Sequence, residues 1–217
     1  MTWTRLLTLL ALAGCIFGVT ACTNTVPLRP TFEPRAAGAR LPLTIGLSFT
    51  QDFSSYTYSA KAPLPALGPR AEFVFPLGEA SVALFQQLLP LMFERAIPIS
   101  SPRAMPEVSL AAIIEMKIEE FHFQFPLSPF SIGDYRAELT YRFSLRSADG
   151  EPLGSWTVKG VGETPLQLTL ASFDSRTPTA GTAAERAIQD AAMKFVGGFR
   201  EVPEVRAWLR TLKVDGQ

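Results

Sequence analysis

From residue 135 to 146, Tyr135, Ala137, Leu139, Tyr141, Phe143 and Leu145 alternate without a miss against Arg136, Glu138, Thr140, Arg142, Ser144 and Arg146. Successive side chains of a strand leave opposite faces of the pleat, so this two-residue period predicts a strand with one buried face. Ser147-Ala148-Asp149-Gly150 follows, and a second apolar-alternating run extends from Leu153 to Val161. Asp-Gly between two such runs predicts an antiparallel hairpin. Upstream, Val108, Leu110, Ala112, Ile114, Met116 and Ile118 share one parity, whereas Phe121, Phe123 and Phe125 take the other. The phase flips at Glu119-Glu120, where a bulge would re-aim the phenylalanines onto the original face.

Leu41, Leu43, Ile45, Leu47 and Phe49 alternate in the same way and predict an earlier strand, while Tyr56 to Ala60 and Glu72 to Phe75 read as short extended pieces. Helical spacing appears twice. Val82, Phe85, Leu88, Leu89, Met92, Phe93 and Ala96 recur at three- and four-residue steps after Gly78-Glu79, with Pro90 inside the pattern and Pro98 and Pro102 at its exit. Thr182-Ala183-Ala184-Glu185 has capping-box spacing and would open a second helix, with Ile188, Ala191, Ala192, Phe195, Val196 and Phe199 as its apolar stripe after a long connection from Thr164 to Gly181. Pro203 then starts a short helix whose Trp208 and Leu209 are expected to close the core. The order β-α-β-β-β-α predicts a two-layer α+β domain, with a mostly antiparallel sheet of about four strands and two helices on one face.

The first residues change the picture. Met1 to Arg5 is a short basic start, Leu6 to Val19 is apolar, and Val19-Thr20-Ala21-Cys22 is a small-residue site before cysteine. This is a secretory signal, since an apolar run of about 14 residues falls short of the roughly 20 that a membrane-spanning helix needs. The Val-Thr-Ala-Cys order resembles a bacterial lipobox, in which the cysteine thiol receives a diacylglycerol and becomes the mature terminus. Leu12-Ala13-Gly14-Cys15 fits that pattern more closely, but cleavage there would leave Ile16-Phe17-Gly18-Val19 as an apolar start, so Cys22 is preferred and Cys15 is the alternative. An ordinary cleaved signal with two incidental cysteines is the plainer reading. Both cysteines lie in this region, so the folded body can form no internal disulfide.

Residues 1–21 are therefore expected to be a signal peptide, 22–40 a lipidated cysteine with a proline-containing tether, and 41–217 one domain. Pro27, Pro30 and Pro34 interrupt an aperiodic stretch from Thr23 to Arg40. In an extended form at about 3.1 Å per residue this stretch would stand the domain roughly 55 Å off a membrane.

Of the 217 residues, 47% are hydrophobic and 18% charged, which suits a domain with a proper core rather than a disordered chain. Lys plus Arg and Asp plus Glu are 20 each, so the net charge recruits no nucleic acid. Catalytic signatures are thin. His122, the single histidine, stands near Glu119, Glu120 and Gln124, but one imidazole without a thiolate makes a poor transition-metal site, and no metal or other cofactor is expected. There is no Gly-x-Ser-x-Gly elbow, and Gly160-x-Gly162 lacks the spacing and following helix of a phosphate loop. Carboxylate pairs leave no sequence signature, so an envelope enzyme using Glu119, Glu120 or His122 remains an alternative. Phe121, Phe123, Phe125 and Phe130 are either core filling or a surface for a partner.

The lipobox, the helix from Glu79 to Ala96, the meander from Val108 to Val161 and the end from Thr182 to Leu209 together resemble small envelope lipoproteins of the YajG kind. Related architecture occurs in the LPS-assembly lipoprotein LptE and in auxiliary lipoproteins of envelope ABC transporters. The resemblance implies a non-catalytic interaction or accessory module in cell-envelope assembly or maintenance, held by an N-terminal lipid and bound to another envelope protein or a lipid. A lipid or glycolipid transport accessory is the alternative. Thr23 rather than Asp after the cysteine implies, by the sorting pattern of such lipoproteins, the periplasmic face of the outer membrane.

Overall fold

The computed structural model describes residues 23–32, 39–61, 72–99, 108–125, 134–165 and 176–212. The elements in chain order are β1 (Thr23–Thr25), β2 (Leu41–Ser48), α1 (Gln51–Ser54), β3 (Tyr58–Lys61), β4 (Glu72–Phe75), α2 (Leu77–Met92), β5 (Phe93–Ile99), β6 (Ala112–Gln124), β7 (Asp134–Arg146) and β8 (Pro152–Pro165). After these come α3 (Arg176–Gly198), a 3-10 turn (Phe199–Glu201) and α4 (Pro203–Thr211). The α+β class stands. The strands, however, form two sheets, one of five in the order β5-β2-β6-β7-β8 and one of three in the order β1-β4-β3.

The meander matches its pattern. Tyr135, Ala137, Leu139, Tyr141, Phe143 and Leu145 are all buried, and β7 pairs antiparallel with both β6 and β8. Gly150 closes the β7–β8 turn at φ 90°, a left-handed conformation that costs glycine little. The register of β6 on β7 steps from Ile118 opposite Tyr141 to Glu120 opposite Thr140, leaving Glu119 as the extra residue. That is the expected bulge, and it turns Phe121 and Phe123 onto the same buried face as Met116 and Ile118.

The single sheet of about four strands needs correcting in three places. First, β2 lies inside the sheet and pairs parallel with both β5 and β6, so the sheet is only half antiparallel. Second, the first helix ends at Met92, where Phe93 turns extended (φ −122°, ψ 154°) and begins β5. Pro90 has no N–H for the Gln86 carbonyl and crowds that turn, so the helix stops two residues on, and Pro98 is tolerated because β5 is an edge strand. Third, the last long helix begins at Arg176, so Thr182 lies within it rather than at its cap. Gly181 is also interior, where a Cβ would come 3.1 Å from Val26 Cγ1 and 3.2 Å from the Pro27 carbonyl.

Close approach continues along β8. A Cβ at Gly160 would lie 2.0 Å from the Ala187 carbonyl oxygen, and one at Gly162 2.0 Å from that of Ala183. Both glycines pair with inward residues of β7, Leu139 and Ala137, so α3 rests its Ala183, Ala187 and Ala191 directly on the strand. Further along, rings replace glycines: Phe143 of β7, Phe195 of α3 and Phe85 of α2 meet at centroid distances of 4.4 to 5.8 Å. Trp208 and Leu209 of α4 are buried, as expected for residues that close the core.

One polar pair lies inside. Ser81 Oγ donates to the Leu77 carbonyl at 2.6 Å and sits 2.5 Å from Tyr141 Oη. Because the serine proton serves Leu77, the tyrosine is the donor of the second bond. Burial pushes the Tyr141 phenol far above its ordinary range, so it keeps that proton.

Two predictions follow from this packing. Gly160→Ala forces a methyl into helix backbone and should cost about 1–3 kcal/mol, or roughly 2–12 °C of melting temperature for a domain of this size. Gly197→Ala, where nothing lies within 4 Å, should instead hold or raise stability, by up to about 1 kcal/mol. Thermal melts of the pair test this, and equal effects would refute the close-approach assignment. For the buried pair, Ser81→Ala strands the Tyr141 hydroxyl and should cost about 1–3 kcal/mol, whereas Tyr141→Phe leaves Ser81 satisfied and should cost about 0.5–1.5 kcal/mol. Urea midpoints in the opposite order would reverse the donor assignment.

Candidate functional site

Of the residues singled out by sequence, Cys15, Cys22 and Phe130 lie outside the described residues. Phe121 and Phe123 are 3% and 8% exposed, so of the two readings of this aromatic set core filling holds for both rings, and neither offers a partner surface. The bulge explains the outcome, since it aims them at β3 and β4, where Phe123 meets Phe75 at 4.6 Å and Phe121 meets Tyr58 at 4.9 Å. Phe125 is half-buried against Phe73, Phe123 and Tyr135. The three-stranded sheet thus roofs one end of the large sheet's inner face, and α2 and α3 roof the rest.

The expected stand-off of residues 22–40 is also corrected over its described part. Thr23, Asn24 and Thr25 pair with Glu72, Phe73 and Val74, and Val26 is fully buried. The chain then runs along α3, where the Arg29 amide donates to Glu185 and Gln189 donates to Thr31. Apolar residues within the proline-spaced stretch carry this docking, Val26 above all, and the prolines merely keep it extended.

The outer face of β6, β7 and β8 remains open. Its cross-strand rows are Glu115–Ser144–Ser155, Lys117–Arg142–Thr157, Glu120–Thr140–Lys159, His122–Glu138–Val161 and Gln124–Arg136–Glu163. Ion pairs cross these rows: Glu115 Oε2 to Arg146 Nε at 3.1 Å, Glu119 Oε1 to Arg142 Nε at 2.5 Å, and Glu138 Oε2 to Lys159 Nζ at 2.5 Å. Arg136 bridges Glu138, at 2.8 Å, and Glu163. Hydrogen bonding from Lys159, and then from Arg136, holds the Glu138 carboxyl below the ordinary carboxylate range, and Glu138 in turn raises Arg136. A lowered carboxylate adds stability above its unfolded pKa and loses it as pH falls through the folded value. On an exposed face such pairs contribute little to the stability of the fold.

His122 and Glu120 belong to this face. Their side chains meet at 2.6 Å and are both 59% exposed, an arrangement open to water on all sides. Glu119 is taken by Arg142, so Glu119 and Glu120 do not converge as an acid–base pair. Among the described residues no three His, Cys, Asp or Glu side chains cluster as metal ligands.

A cleft of about 500 Å³ lies between α1 and the start of α2, lined by Gln51, Ser54, Ser55, Tyr56, Thr57, Pro76 and Glu79. Its serine hydroxyls are spent on local carbonyls, Ser54 on Thr50 and Gln51, and Ser55 on Gln51. Burial raises the Tyr56 phenol, with Tyr58 adding to the shift. Glu79 is the one charged side chain in this lining. The alternating Arg136, Glu138 and Arg142 were visible in sequence, but their partners Glu119, Lys159 and Glu163 depend on register, which alternation does not report.

No family model matches the chain, and no curated protein matches it. Among solved structures the chain is similar to a Xanthomonas campestris protein of family model DUF330, at 15% identity over 82% of this chain and 94% of that one, with a TM-score of 0.47. A minor lipoprotein from Acinetobacter baumannii shares 10% identity over 74% of this chain and 92% of that one, with a TM-score of 0.39. An uncharacterized lipoprotein B from Nitrosomonas europaea shares 16% over 75% and 88%, with a TM-score of 0.36. At such identities and TM-scores these likenesses carry no argument about family or function, and they do not establish the expected kinship with YajG or LptE.

Proposed function

We propose that the protein is a lipid-anchored lipoprotein of the cell envelope, on the periplasmic face of the outer membrane, whose body is a non-catalytic accessory module for another envelope protein. The observation that carries this reading is the secretory start ending in Val19-Thr20-Ala21-Cys22, one residue before the first strand of a folded domain. A diacylglycerol on that cysteine would supply two chains, the number that stable anchoring takes. No helix among the described residues is long and apolar enough to cross a membrane. Kinship with the YajG kind belongs to this reading and rests on the lipobox and the order of elements.

The contact surface is the open face of β6–β8. It presents alternating charge in fixed register, which selects a partner by complementarity and orientation more than by apolar area. Its carboxylates are taken by cations or lie in open water, which supports binding over catalysis.

Photoreactive groups at Lys117 and Thr157 on this face, compared with Gln86 and Arg206 on the helix layer, test the reading in intact membranes. Adducts to another envelope protein are expected from the first pair and not from the second. Adducts from the helix positions alone would move the interface to the other layer. Turnover of a small substrate abolished by His122→Ala or Glu120→Gln would end the non-catalytic assignment.

A further inference from the structure

Strand directions place several chain ends together. The β6–β7 connection leaves at Gln124 and Phe125 and returns at Asp134, and Asp134 pairs with Pro165 at the last residue of β8. Phe125 packs against Phe73 with ring centroids 5.4 Å apart, and Phe73 pairs with Asn24 and Ala60, which brings the Thr23, Lys61 and Glu72 end of the small sheet to the same end of the large one. Thr23 is the first residue of β1, in register with Glu72. A residue advances a strand by only about 3.3 Å, so Cys22 leaves from this end with no spacer.

We propose that this end of the domain, marked by Thr23, Lys61, Glu72, Phe125, Asp134 and Pro165, rests on the lipid leaflet that holds Cys22. The proposal depends on the anchor reading above and adds an orientation to it. The occupant is a lipid surface because the chain outside the structure leads straight to the acylated residue. An anchor one residue from a paired strand keeps this end of the body within a few ångströms, about the rise of one residue, of the bilayer surface. Lys61 is outnumbered here by Glu72 and Asp134, so attachment does not depend on an anionic leaflet.

The opposite end is the β7–β8 turn at Asp149, roughly 40 Å away at about 3.4 Å per residue along β7. The mature chain has no cysteine besides Cys22, so Gln124→Cys, Pro165→Cys and Asp149→Cys can each carry one fluorophore. The intact lipoprotein would be reconstituted in vesicles of phosphatidylethanolamine and phosphatidylglycerol containing nitroxide-labelled lipid, with mass spectrometry of the N-terminal peptide on the same sample. Loss of emission is expected at positions 124 and 165, with emission at 149 unchanged. Lipid on Cys22 with equal emission at all three positions, or quenching at 149 alone, overturns the orientation and leaves the anchor reading standing. An unmodified Cys22, or a lipid found only on Cys15, overturns both.

Discussion

Helix α3 lies on strand β8 at backbone distance, and much of the structure depends on that contact. Gly160 and Gly162 remove the side chains that would hold the helix off, and Ala183, Ala187 and Ala191 remove those that would hold off the strand. With the backbones this close, polar side chains of α3 reach past the sheet to its edge. Asp190 accepts from the Val161 amide at 2.8 Å, Lys194 donates to the Lys159 carbonyl at 3.0 Å, and Arg186 donates to the Glu163 carbonyl. Residues 159, 161 and 163 are those whose backbone groups turn away from β7, the groups an edge strand leaves open to pairing with another chain. Packing and edge protection are therefore one device: a helix held farther out by a larger residue at 160 would lose both.

The same contact sets the rest of the core. Once its N-terminal half is fixed by alanines on glycines, α3 brings Phe195 down onto Phe143 and Trp156, and Phe199 onto Phe93 at the start of β5. The second helix fits against this group through Phe85 and is tied to β7 by the Ser81–Tyr141 bond. A polar pair at that depth fixes how α2 sits along the strand in a way that aliphatic packing does not, because it is satisfied at one register only. The outer face is freed from any part in the core and holds a lattice of compensated charge.

What the sequence disclosed follows from what periodicity measures. Alternation reports the face on which a residue lies, so β7, β8 and the bulge at Glu119 were legible, and so was the burial of Trp208. Alternation carries no strand direction, which is why the parallel pairing of β2 on both sides was missed. Phe93 and Ala96 satisfy a helical stripe and a strand equally well, and only the loss of the Pro90 amide ends the helix soon enough for β5 to form. Gly160 and Gly162 lack the spacing of a phosphate loop, and their period-two spacing facing an alanine-rich helix is instead the sign of close packing. The parity of the aromatic segment at Phe121 is legible, but the choice between core and surface is not, because the short strands that cover it have too few residues to show a period.

The segment from Thr23 to Phe32 joins fold and function. It completes the small sheet through β1, buries Val26 against Gly181 and follows α3, so it is part of the domain's packing rather than a leash. A lipid on Cys22 would then hold a rigid body at one end instead of a module swinging on a flexible tether. With the strand ends of β6, β7 and β8 at the bilayer, the long strands rise away from it and the charged face stands upright, turned sideways. On the proposed orientation such a face would meet a partner that also rises from the membrane, and its charges would come to that partner at fixed heights. Complementary charge then acts with fewer orientations to search, and part of the entropy lost on association is already removed by the anchor.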